Sequence, residues 1–132
     1  MAEPRSLQVR YRIYRPSVPV ARTKAKTLAK EWGLPRYVTD FLEWVVTELV
    51  TNAVIHGQTM RGSRVLVAYH LADNLLRVEV RDAAGGMPCV DRGRGLQIVA
   101  AFADDWGVTP RVIGKSVWAE IGVSSERGRY DW

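Results

Sequence analysis

A chain of 132 residues with 47% hydrophobic and 25% charged positions has the length and composition of one compact domain, expected over 1–132 with its core at about 8–123 and a C-terminal tail at 124–132 that frays from Glu126. A single cysteine, Cys89, rules out an internal disulfide and any zinc site built from several thiolates. No apolar run approaches the ~18 residues of a membrane span, and the charged, proline-bearing start is not a secretory signal, so a soluble cytoplasmic protein is expected.

The net charge of +5 is unevenly spread: residues 1–36 carry nine Lys/Arg against Glu3 and Glu31, while residues 37–132 carry ten against twelve acids. Such a basic N-terminal segment suits either an acidic partner or a solvated helix face and strand edge. No basic-aromatic pattern accompanies it, so nucleic acid is not the expected partner.

In chain order, residues 8–14 alternate, with Val9, Tyr11 and Ile13 on one side, and read as a half-buried strand ended by Pro16 and Pro19. Val20–Trp32 favours a helix, stopped by Gly33, Leu34 and Pro35. A second helix follows over Tyr37–His56, closed by Gly57. Residues 64–71 and 75–82 are strands joined through the turn pair Asp73-Asn74. A glycine-rich stretch, Gly85–Gly95, leads to a helix over Leu96–Ala103, and strands near Trp106–Val108 and Ser116–Val123 complete the order β, α, α, β, β, α, β, β. This order does not alternate strand with helix. It predicts an α/β two-layer sandwich, with helices on one face of a mixed, largely antiparallel sheet.

Three places break the apolar pattern. On the second helix, Val38, Phe41, Leu42, Val45, Val46, Leu49, Val50, Ala53 and Val54 form a core-facing stripe, yet Glu48, Asn52 and His56 fall within about 60° of Phe41 at i, i+4 spacing. Buried amides and carboxylates need partners. These are either an internal hydrogen-bond network or a ligand, in which the Asn52 oxygen suits a hard cation such as Mg²⁺ and Glu48 polarises an attacking hydroxyl. His56 fits a structural donor as well as a ligand. On the strand 75–82, Leu76, Val78 and Val80 face inward and Asp82 ends that row. It either opens a turn or accepts a hydrogen bond from the exocyclic amino group of a base. Third, Gly93-Arg94-Gly95-Leu96 opens a helix whose free amides favour an anion. It matches neither a P-loop nor a dinucleotide fingerprint.

Taken together, ELVTNAVIHG at 48–57, VEVRDAAGGMP at 78–88, GRGLQIV at 93–99 and GKSVWAEI at 114–121 resemble the GHKL (histidine kinase-like) ATPase superfamily, specifically its small stand-alone anti-sigma-factor serine kinases. The resemblance implies ATP and Mg²⁺ as ligands: Asn52 on the metal, Glu48 as general base, Asp82 on adenine with Gly86 as a glycine of the same box, Gly93, Gly95 and Leu96 along the phosphates, and Ser116 reaching the nucleotide. Ala84 stands where the family has the first glycine of its adenine box. Only Met87–Arg92 separates the two glycine boxes, which implies a short ATP lid, and Ala21-Arg22 resembles an arginine at the partner-facing rim. The implied function is an ATP-binding, Mg²⁺-dependent protein serine/threonine kinase that phosphorylates an anti-sigma antagonist and regulates a sigma factor, as a homodimer. The alternative is a non-catalytic ATP-sensing module of the same fold.

Overall fold

The computed structural model describes residues 3–56, 64–82, 95–111 and 114–124, with side chains for all of these except His56 and 95–98. Its elements are β1 (Arg5–Arg12), α1 (Ser17–Glu31), α2 (Arg36–His56), β2 (Arg64–Ala72), β3 (Leu75–Asp82), α3 (Gly95–Phe102), β4 (Asp105–Pro110) and β5 (Lys115–Gly122). The strands form one sheet in the order β1-β2-β3-β5-β4. Every ladder in it is antiparallel, so the sandwich has the expected layers without the parallel component that a mixed sheet would contain.

Directly opposed residues of an antiparallel pair project from the same face. Register therefore lines up Val9, Val67, Val80, Val117 and Val108, one valine from each strand, in a row across the sheet. A neighbouring row runs Leu7, Tyr69, Val78, Ala119, Trp106. β-Branched side chains fill a pleated face well, and here they meet the apolar stripe of α2, in which Val38, Leu42, Val45, Val46, Leu49 and Val50 are wholly or almost wholly buried. The small buried face of α1, Ala21, Ala25 and Ala29, lets it lie close against α2.

Two local boundaries differ from the sequence reading. The first strand begins at Arg5 and stops at Arg12, and α1 starts at Ser17, three residues earlier than expected, with Pro16 at its N-cap. Pro19 lies in the first turn, where an absent N–H costs no intrahelical bond, so it starts the helix rather than delaying it. The other end of α1 is a Schellman motif: Gly33 sits at φ +65° and donates to the Lys30 carbonyl, and Leu34 N–H donates to Ala29.

Tyr37 fixes how α2 lies on the sheet. Its hydroxyl donates to the Gly122 carbonyl at 2.6 Å and accepts from the Ser124 N–H at 2.8 Å, which pins the start of the helix to the end of β5. From that anchor, Asn52 is about 22 Å along the helix at 1.5 Å per residue. Asp82 is about 23 Å along β3 from Leu75, the partner of Gly122, at 3.3 Å per residue. Both α2 and β3 therefore start at the Gly122 end of the sandwich and pack on one another.

The Tyr11 and Tyr69 hydroxyls, both inside the core, meet no hydrogen-bond partner among the described residues. Burial raises both phenols above their ordinary value of 10.0, Tyr69 strongly, and Tyr11 beside Tyr69 adds to its shift. A folded pKa raised above the unfolded one means stability is complete below about pH 10 and falls as pH rises further. Tyr69→Phe is expected to change stability by less than about 1 kcal/mol at pH 7, since no native hydrogen bond is lost. It should also flatten the loss between pH 9 and 11 in urea unfolding. Tyr37→Phe, which strands a carbonyl and an N–H, should lower stability by about 1–3 kcal/mol in the same assay.

Candidate functional site

Along the flank of α2 that turns toward α3, Glu48 and Asn52 are half-buried, one turn apart, beside the buried Phe41 and Val45. The helical spacing places them as expected from sequence, at the border of the apolar stripe rather than at its centre. The exposed stripe lies next to them: Trp44, about half exposed, meets Phe102 of α3 edge to face at 5.9 Å. α3 packs on α2 and β4 and starts at Gly95-Leu96, so its first-turn amides have no acceptor within the helix. His56 ends α2. Gly86 and Gly93 lie outside the described residues.

Asp82 faces inward, as alternation predicts. Its Oδ1 lies 3.2 Å from Lys115 Nζ, its cross-strand neighbour on β5, and both side chains are nearly closed to solvent at 6% and 9% exposure. A carboxylate buried there is satisfied by a cation. Lys115 was missed by the sequence reading, although the signal was available: counting back in twos from Ile121, Ala119 and Val117 reaches Lys115.

The same parity corrects the expectation for Ser116. It opposes Arg81 and shares the outer face of the sheet, away from the helices and from Asp82, so its side chain does not join Asp82. There its wholly buried hydroxyl leans on Glu79 without reaching strict hydrogen-bond geometry. Burial raises the Glu79 carboxyl, but the Arg81 hydrogen bonds, the Ser116 hydroxyl and the charges of Arg81 and Arg77 together hold it below the usual carboxylate range. Arg77 is stacked on the Trp118 ring at 4.2 Å and bonded to Glu120 at 3.0 Å. The indole covers Gly107, where an added Cβ would come within 2.8 Å of the ring. This face is a packed polar lattice.

Among the described residues no cluster of three or more His, Cys, Asp or Glu side chains could cage a metal. The donor set does fit an ion held by one amide oxygen that keeps waters and phosphate oxygens as its other ligands, which is the habit of Mg²⁺. No helix among the described residues is long and apolar enough to cross a membrane. A groove of about 300 Å³ lined by Trp32, Leu34, Leu71, Asp73, Asn74 and Val123, among others, lies at the opposite end of the sheet. None of the residues expected to bind ligand lines it.

The family described as "Histidine kinase-like ATPase domain" matches residues 15–121. The chain is similar to a protein named "Anti-sigma F factor" from Clostridium acetobutylicum, 26% identical over 100 residues that cover 64% of this chain and 70% of that protein. In fold it is similar to the crystal structure of the RsbU and RsbW domains of Rv1364c from Mycobacterium tuberculosis, with a TM-score of 0.75 at 20% identity over 90% of this chain. This chain spans 32% of that structure's length.

The Asp82–Lys115 pair yields a stability prediction. Lys115→Met takes the ammonium away from a buried carboxylate and should cost about 3–5 kcal/mol. Adding Asp82→Asn to it should recover part of that loss, and a urea-unfolding cycle of the two single variants and the double variant measures the coupling.

Proposed function

Because the chain belongs to the histidine kinase-like ATPase domain family, we propose that it binds ATP with Mg²⁺ and acts as an anti-sigma factor of the protein serine/threonine kinase type. In this reading it phosphorylates a small antagonist protein and regulates a sigma factor in the cytoplasm. The observation that supports this site is that α2, which carries the half-buried Glu48 and Asn52, packs on β3, which ends in the inward-facing Asp82. The likeness to a protein named for anti-sigma activity supports the class of partner.

The work of the chain's own residues is positioning and charge neutralisation. Asp82 accepts the adenine amino group. Gly86 belongs with Asp82 to the adenine side of the site, and Gly93 with the amides at Gly95 and Leu96 holds the phosphates. Asn52 would hold a divalent cation through its side-chain oxygen, and that ion would supply charge neutralisation to the nucleotide phosphates. Glu48 orients the serine hydroxyl and takes its proton as the γ-phosphoryl group passes to the serine oxygen and ADP leaves. The homodimer included in this reading has a free strand edge available at β1, which ends the sheet.

Calorimetric titration with ATP, with and without Mg²⁺, tests the site before any partner is in hand. Asn52→Ala is expected to lose Mg²⁺-dependent ATP binding by about tenfold or more. Wild-type affinity in that variant overturns the assignment. Glu48→Gln should still bind ATP but transfer phosphate to an antagonist protein about 10²–10⁴-fold more slowly, followed with γ-labelled ATP. Retention of label on ATP by the wild-type chain with every antagonist tried favours the ATP-sensing module instead.

A further inference from the structure

Lys115 has no part in the reading above, yet it stands at its centre. The inner-face positions that precede it toward the core are Val117, Ala119 and Ile121, so the fold places an ammonium where the rest of the strand is apolar. A buried ion pair recovers little stability over an apolar pair of similar volume, because both charges are stripped of water. Lys115 and Asp82 together have a property that neither has alone. They set a donor and an acceptor side by side, Nζ 3.2 Å from Oδ1, on one face and at one end of the sheet.

Adenine presents the complement of that pair. Its N6 amino group donates, and the adjoining ring nitrogen N1, one ring carbon away, accepts. We propose that Lys115 is a base-recognition residue, donating from Nζ to adenine N1 while Asp82 accepts from the N6 amino group. The proposal rests on the ATP reading of this site and extends it from the exocyclic amino group to the ring. On binding, the ion pair stays closed while Lys115 and Asp82 each direct one hydrogen bond to the base, so neither charge is stranded. A nucleotide whose ring lacks the N1 acceptor leaves one N–H of a buried ammonium facing carbon, the kind of mismatch a closed site rejects strongly.

The test is titration of the full chain, with Mg²⁺, by ATP, by 1-deaza-ATP, in which C–H replaces N1, and by 7-deaza-ATP, which keeps both N1 and the amino group. The wild-type chain should bind 1-deaza-ATP about 10- to 100-fold more weakly than ATP, and 7-deaza-ATP within about threefold of ATP. In Lys115→Met, with folding checked by circular dichroism, ATP and 1-deaza-ATP should become equal. Lys115→Arg, which keeps the buried charge paired, should retain a preference for ATP. The wild-type comparison decides the question even where Lys115→Met does not fold. Equal affinity of the wild-type chain for ATP and 1-deaza-ATP overturns this role for Lys115 and leaves the ATP site standing, whereas failure to bind ATP at all overturns both.

Discussion

Parity along two neighbouring strands governs the chemistry at one end of this protein. Because β3 and β5 pair without a bulge from Leu75–Gly122 to Asp82–Lys115, the faces are decided at every position once they are decided at one. The valines and Ala119 bury inward, so Asp82 and Lys115 must as well, and Arg81 and Ser116 must point the other way. Hydrophobic burial of the middle of the sheet therefore orients the polar groups at its end. No separate local device is needed to aim the carboxylate.

The helix above is held by an equally remote contact. Tyr37 bridges to Gly122 and Ser124 at one end of α2, while Glu48 and Asn52 stand several turns away at the other. Packed along nearly its whole length, α2 carries that anchor to the flank that holds Glu48 and Asn52. The energetics favour this division: the middle of α2 buries an unbroken run of aliphatic side chains, each contributing on the order of 1.5–3 kcal/mol, and the polar pair sits at the stripe's edge, where partial exposure lowers the cost of keeping it.

Much of this was legible in the sequence, for identifiable reasons. The 3.6-residue stripe of α2 and the twofold alternation of β3 are strong periodic signals, and they located Glu48, Asn52 and Asp82 because those residues interrupt a pattern. The starts of β1 and α1 were not legible. Pro19 has opposite meanings in a strand and in the first turn of a helix, and composition does not choose between them. The motif at 114–121 carries no information on alternation, so it points to Ser116 rather than to Lys115, whose parity with Val117 and Ala119 turns it inward beside Asp82. The outer face is a different case. Its Arg77–Trp118–Gly107 stack and its Arg81–Glu79 pair depend on which strands are neighbours, and β3 and β5 are separated in sequence by a helix and a strand.

The turn between β2 and β3 carries a consequence for the far end of the sheet. Asp73 and Asn74 both take left-handed backbone angles, φ 53° and 59°, without glycine, and the Val123 N–H clamps the Asn74 carbonyl at 2.8 Å. Such a tight two-residue loop admits a single alignment of its arms. Were the hairpin to slip by one residue, a guanidinium would rotate in where the carboxylate now stands, and Lys115 would face a second base instead of an acid. Two short-chain residues at the remote corner thus help set the sign of the charge that faces inward eight residues beyond Asn74.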